Sequence, residues 1–339
     1  MTDNGQEYEV AVVGGGPGGL TAALYTTRLG HDTVVVNRGG GRAAMMAETH
    51  NVIGVTEEVS GMEFLQTARE QVKNYGADYV RGYVETVERR DDGRFHLHGG
   101  ETDFVAEKVV LATGFTDVQP NPPLPPTGRG LHYCVHCDAY MFVDESVYVM
   151  GVGEAAAHVA MILLNFTDDV DLLTRGEDPR WSDETDRQLR AHPVDVVHEE
   201  VVGIEKDDDG WLLGLEFDDG RFREYRGGFP MYGSDYNAEL VEQLDCERND
   251  DGTVVVDDAF ETTVDGVYAV GDLTPGHKQI PVAMGEGANA GIDIHYDLRT
   301  FPKSLDEIEA EGDVASDEIP GIADEVREAA REFRATGDD

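Results

Sequence analysis

A chain of 339 residues, 40% of them hydrophobic, has room for roughly two domains with buried cores. Asp and Glu number 69 against 26 Lys and Arg, a formal net charge of −43; without a basic stripe this excludes nucleic acid as a partner, and without an uncharged apolar run of about 18 residues a membrane crossing is excluded too. The acidic residues run through the whole chain, and repulsion on this scale is screened where the Debye length falls to about 3 Å in 1 M salt, so the surface is expected to be adapted to high salt, as in a halophile.

Residues 8–14, YEVAVVG, read as a short apolar strand. A glycine turn and an amphipathic helix follow in GGGPGGLTAALYTTRLG, then a second strand in HDTVVVN, residues 31–37. This is the context a dinucleotide fingerprint requires. Gly14, Gly16 and Gly19 supply the G-x-G-x-x-G. The first permits the tight turn, the second lets the backbone approach a pyrophosphate, and the third lets helix and strand pack closely. The helix N-terminus then offers its N–H groups to the phosphates. The strand ends at Asn37, so the adenosine ribose would meet an amide and not a carboxylate. This first apolar run follows an acidic start and is broken by five glycines. That does not fit a secretory signal, and the expected setting is cytoplasmic, where thiols stay reduced.

Residues 60–77 read as a helix, 79–88 and 94–98 as strands, and KVVLATG, 108–114, as a buried strand ending in a tight turn. The proline-rich NPPLPPTG, 121–128, reads as a linker and domain boundary. HYCVHCDAY, 132–140, follows. A second fingerprint occupies 147–164, VYVMGVGEAAAHVAMILL, with Gly151, Gly153 and Ala156 at G-x-G-x-x-A spacing, and DVDLLTR is its next strand. It either binds a nucleotide or keeps the fold without the ligand. Two such units predict an α/β fold of two Rossmann-like, three-layer nucleotide-binding domains. Further on, the strand VYAVGD runs into a loop and a helix starting near Ile280. The acidic tail after Phe301 has one helical candidate at 319–334, with Ile322, Val326, Ala330 and Phe333 on one face, packed on the core or on a partner subunit.

The chain has three cysteines. In a reducing setting, the pair Cys134 and Cys137 reads as catalytic or metal-binding before it reads as a structural staple. A structural zinc site needs four Cys or His ligands. Cys134, His136 and Cys137 cannot all coordinate comfortably from adjacent positions, and there is no second CxxC. No metal is therefore expected, and Cys246 reads as an inert buried thiol.

The ordered set GGGPGG, LATG, CxxCD, GxGxxA and AVGD resembles the low-molecular-weight thioredoxin reductase family of FAD-dependent disulfide reductases, over residues 8 to about 298. The resemblance implies an FAD domain in two segments, 1–117 and 247–298. A nicotinamide-type domain carrying the CxxC is inserted at 118–246, and 299–339 is left as an acidic tail with one short helix. It implies that Gly16, Pro17 and Gly18 hold the FAD pyrophosphate and that Asn37 sits near the ribose. Asn51 would lie near the flavin, although Ile53 replaces the usual proline of that element. Ala112, Thr113 and Gly114 match the A-T-G turn. Gly271 and Asp272 match the ribityl-binding turn, and Gln279 and Ile280 match the segment over the flavin's pyrimidine edge. Cys137 would face the flavin, Cys134 would exchange with the substrate, and Asp138 would move protons at the dithiol. His136 departs from the pattern, and either tunes a neighbouring thiol or faces solvent without a role.

Family members that use NADPH carry H-R-R-x-x-x-R after the second domain's second strand. Here TRGEDPR keeps Arg175 and Arg180, replaces the His and the middle Arg with Thr174 and Gly176, and adds Glu177 and Asp178. Poor NADPH affinity is expected, leaving NADH or no nicotinamide as the donor. The resemblance implies electron transfer through FAD and Cys134–Cys137 to a thioredoxin-type protein, commonly in a homodimer. Two readings of the same class stay open: a ferredoxin-dependent reductase, and a dithiol oxidase acting on a small dithiol. A reading of another class is a non-catalytic FAD-binding redox sensor or scaffold; a scaffold would have no need of CxxCD.

Overall fold

A computed structural model describes residues 5–100, 102–121, 124, 127–319 and 321–336. Pro122, Pro123, Pro125 and Pro126 of the expected linker lie outside the described residues, as do the ends of the expected first segment and tail. The chain packs as two compact units, so it is α/β in both. One takes in the described residues of Met1–Ala44, Gly61–Phe115 and Tyr236–Asp339, the other Met45–Ser60 and Thr116–Asp235.

The first unit is built on the strand Gln6–Val13, which pairs in parallel with Thr33–Asn37 on one side and Thr102–Leu111 on the other. Asp78–Arg81 extends the sheet beyond Thr33–Asn37, and Val267–Ala269 pairs in parallel with Thr102–Leu111. Period-two alternation sends Val10 and Val12 to one face and Ala11 and Val13 to the other, and both faces are buried, as a central parallel strand requires. On the Val10 face lie helices Pro17–Arg28 and Ile280–Leu298. Their backbones touch because glycines allow it: a Cβ on Gly287 would lie 2.1 Å from the Gly18 carbonyl oxygen. The expected strand at 79–88 is broken in two, Asp78–Arg81 and Thr86–Arg89. Gly99 passes so close to the intervening turn that a Cβ on it would lie 2.0 Å from the Tyr83 carbonyl oxygen.

The second unit repeats the plan on a smaller scale. Val147–Met150 pairs in parallel with Val170–Leu173 and Gly227–Pro230, and Val194–Val197 extends the sheet. Helix Glu154–Leu163 covers the Val147 and Val149 face. The face of Tyr148, Met150 and Leu173 is covered by residues of an antiparallel sheet, Val201–Lys206, Leu212–Phe217 and Phe222–Glu224. Each unit is thus a layered Rossmann-like body.

The tail holds two helices, Leu305–Glu311 and Asp324–Thr336, where one is expected. The first is set by a capping box between Ser304 and Glu307 and buries no residue, so hydrophobic periodicity does not reveal it. In the second, Val326 is half-buried and Phe333 is 80% exposed, and Ile322, just before the helix, lies 3.6 Å from a Cβ placed on Gly30. No helix among the described residues is long and apolar enough to cross a membrane.

Candidate functional site

In the first unit the glycine turn follows from steric necessity. Gly14 has φ +117, and a Cβ on it would lie 2.2 Å from the Ala112 carbonyl oxygen; one on Gly19 would lie 2.1 Å from the Gly14 carbonyl oxygen. Gly16 caps the helix Pro17–Arg28 in extended geometry, and a Cβ there would meet nothing within 4 Å. The backbone is therefore open to a ligand where the free N–H groups of the helix begin. A Cβ on Gly18 would lie 3.1 Å from the Ala283 carbonyl oxygen and 3.4 Å from the Gly271 nitrogen, so two helix starts and the Gly271–Asp272 turn converge here.

Residues far apart in sequence hold this cradle. Asn237 clamps the Ala112–Gly114 turn: the Thr113 hydroxyl donates to the Asn237 carbonyl at 2.7 Å, and the Asn237 amide donates back to the Thr113 carbonyl at 2.8 Å. Buried Glu286 accepts the Gly271 N–H at 2.6 Å and the Thr274 hydroxyl at 2.9 Å, fixing the turn that carries Asp272. Burial pushes the Glu286 carboxyl up from its ordinary value, and these hydrogen bonds act against that. A Cβ on Gly114 would come within 3.8 Å of the Asp272 Cβ. Gln279 caps the helix Ile280–Leu298. Asn37 donates to the Tyr79 phenol at 2.7 Å while its carbonyl accepts the Gly39 N–H at 3.2 Å. Gly14, Gly16, Gly18, Gly19, Asn37, Ala112, Thr113, Gly114, Gly271 and Asp272 all lie in the first unit, whereas Asn51 belongs to the second.

In the second unit Gly151 has φ +143, Gly153 caps Glu154–Leu163 with open space at its Cβ position, and Ala156 is fully buried. The loop after Val170–Leu173 turns one of its two arginines inward. Arg175 is left-handed, with φ +54, and its buried side chain lies 3.5 Å from the Glu200 carboxylate and beside the Tyr232 phenol. Gly176 has φ +76, and a Cβ on it would meet the Glu200 carboxylate at 3.2 Å. Arg180, exposed, pairs with Glu177 at 3.3 Å.

Cys134 and Cys137 form a disulfide. Cys134 caps the four-residue helix Val135–Asp138, and its sulfur accepts the Cys137 N–H at 3.1 Å. Asn51 donates to the Cys137 sulfur at 3.4 Å. Asp138 accepts from His132, at 2.9 Å, and His136 is exposed. Tyr133 donates to Gln119, and burial together with Asp117 pushes its phenol up to about 12. Cys246 is buried, and that burial pushes its thiol up. His132, Glu200, Asn237 and Glu286 are absent from the sequence-derived set. His132 stands in the same nine residues as the CxxC, but no spacing rule marks it.

The description "Pyridine nucleotide-disulphide oxidoreductase" matches residues 8–287. Thioredoxin reductase from Aquifex aeolicus is 30% identical over 305 residues, 85% of this chain and 92% of that protein. Thioredoxin reductase from Helicobacter pylori is 29% identical over 304 residues, 84% of this chain and 97% of that protein. Among solved structures, thioredoxin reductase from Streptococcus pyogenes superposes with a TM-score of 0.81 at 25% identity, covering 88% of this chain and all of that one (100%). The structure of HlmI superposes with a TM-score of 0.80 at 28% identity, covering 98% of this chain and 99% of that one.

Proposed function

The chain belongs to the pyridine nucleotide-disulphide oxidoreductase family, as a divergent FAD-dependent thiol–disulfide oxidoreductase of the low-molecular-weight thioredoxin reductase kind, and on that premise we propose that it passes electrons through FAD and the Cys134–Cys137 disulfide to a thioredoxin-type protein. The observation that carries this reading is the disulfide itself: Cys134 caps a short helix that ends in Asp138, which puts an acidic group in the same turn as the two exchanging sulfurs.

The cradle fits FAD. Gly16, Pro17 and Gly18 hold the pyrophosphate at the open helix start, supported by Gly14 and Gly19. Asn37 meets the ribose, Ala112, Thr113 and Gly114 flank the cofactor, and Gly271 and Asp272 take the ribityl chain. Gln279 and Ile280 aim a helix start at the flavin. FAD, when bound, supplies a carrier for an electron pair. By the resemblance Cys134 would exchange with the substrate and Cys137 would receive the electron pair from FAD, while Asn51 donates to Cys137 and favours its thiolate form. Asp138 gives and takes the proton that opening and closing the disulfide requires. In this reading the FAD domain is 1–117 with 247–298, the inserted domain is 118–246, and the enzyme works as a cytoplasmic homodimer.

Gly151, Gly153 and Ala156 keep the backbone geometry for a second pyrophosphate. Arg175 faces Glu200 and Tyr232, and Arg180 faces Glu177, which disfavours a 2′-phosphate. NADPH is therefore a poor donor, and NADH or reduced ferredoxin the better one. The test is anaerobic reduction of the bound flavin by NADPH, NADH and reduced ferredoxin in parallel, followed by turnover of a thioredoxin disulfide. A colourless protein that cannot be reconstituted with FAD contradicts the reading.

A further inference from the structure

The geometry points to His132 as a positioning residue for the dithiol, acting through Asp138; the inference rests on the thiol–disulfide chemistry proposed above. The imidazole is 2% exposed, with Phe142 and Phe229 packed against it at centroid distances of 5.1 and 6.0 Å. In such an apolar wall both ring nitrogens must find partners. Nε2 accepts the Gly130 backbone N–H at 3.4 Å, which only a proton-free nitrogen can do. The ring proton is thereby placed on Nδ1, which donates at 2.9 Å to Oδ2 of Asp138.

Opening the Cys134–Cys137 bond takes one electron pair and one proton and leaves one thiol and one thiolate. FAD, when bound and reduced, would supply the electron pair. The proton passes through Asp138 on its way to the sulfur, and back by the same route when the disulfide re-forms. His132 acts on this exchange in two ways. Its N–H occupies Oδ2, so Oδ1 is the oxygen left to trade the proton with sulfur. It also meets the developing carboxylate with a donor already in place, so nothing has to reorganise when the charge appears. Burial between two phenyl rings holds the imidazole still, which an exposed histidine cannot match.

Two substitutions of similar size separate the ring's two functions. His132→Asn keeps a donor near the Nδ1 position, whereas His132→Gln keeps an acceptor near Nε2 and loses that donor. Each is made in the FAD-loaded protein, alone and combined with Asp138→Asn. The rate at which the reduced pair reacts with 5,5′-dithiobis(2-nitrobenzoate) is then followed in a single turnover. His132→Gln should slow the reaction about tenfold, and His132→Asn should stay within about threefold of the parent, as expected for loss or retention of one charge-assisted hydrogen bond. In the Asp138→Asn background His132→Gln should have no further effect, which a purely structural role would not produce. The inference is overturned if His132→Gln reacts at the parent rate, or if it slows the Asp138→Asn protein by the same factor as the parent. A parent protein whose reduced pair does not react contradicts the proposed function itself, and the inference with it.

Discussion

The two glycine turns share one backbone and differ in everything that surrounds it. Gly14 and Gly151 are both left-handed, with φ +117 and +143, and Gly16 and Gly153 both cap a helix in extended geometry with open space beyond. At the third position the first turn has no room for a Cβ on Gly19, whereas the second holds the methyl group of Ala156 against Gly151, 3.0 Å from a Cβ there. Around the first, Asn237, Glu286 and the helix Ile280–Leu298 come in from distant sequence to complete a cradle. Around the second, the loop after Leu173 folds its arginine back onto Glu200. The glycine backbone is common to both; the side chains around it, which come from distant sequence, are what differ.

The largest effects should follow from violating the tighter turn. Gly19→Ala places a methyl 2.1 Å from the Gly14 carbonyl oxygen. It should destabilise the protein by about 3 kcal/mol and strip FAD, whereas Ala156→Gly should cost about 1 kcal/mol and leave FAD bound. Thermal melts with released flavin measured alongside check both, and equal losses would mean that the two turns are packed alike. Next, Asp272→Ala should weaken FAD retention by about 1.5–3 kcal/mol through loss of a charged acceptor. Flavin content after dialysis measures it, and full retention would remove Asp272 from the cradle.

The second turn is sharpened by releasing its arginine. Glu200→Gln combined with Glu177→Ala should raise NADPH-driven flavin reduction about tenfold relative to NADH, since each freed guanidinium contact is worth about 1.5–3 kcal/mol. The sequence alone points to restoring the missing arginine with Gly176→Arg. Its φ of +76 and the Glu200 carboxylate in its Cβ direction make that change strained. An unchanged cofactor ratio in the double variant would mean that Glu200 does not guard a phosphate subsite. The smallest effect is expected at Asn37→Ala, about 1 kcal/mol of FAD affinity, because its amide already has Tyr79 and Gly39 as partners. A loss as large as that of Asp272→Ala would make the ribose contact dominant.

These outcomes separate what local sequence encodes from what packing supplies. The turns at Gly14 and Gly151 and the strand–helix units around them are legible because glycine conformations and apolar runs are local signals. The parallel sheets follow from them. Asn237 and Glu286 are not legible, since each does its work across a dozen residues or more and belongs to no spacing rule. His132 is hidden differently: it lies two residues before Cys134, yet its significance appears only when the chain turns Asp138 back onto it. Asn51 is placed near the flavin by resemblance, and in this structure its amide lies against the Cys137 sulfur. In the tail, periodicity finds the helix Asp324–Thr336 but misses Leu305–Glu311, whose signal is a cap and not a face.

The central claim is that one chain holds two redox centres, a flavin and the Cys134–Cys137 disulfide. An anaerobic dithionite titration of the purified protein tests it most directly. The account predicts uptake of about four electron equivalents per chain, two for the flavin and two for the disulfide, falling to about two in Cys134→Ser with its flavin intact. Uptake of about two in the parent protein, unchanged by Cys134→Ser, would contradict it.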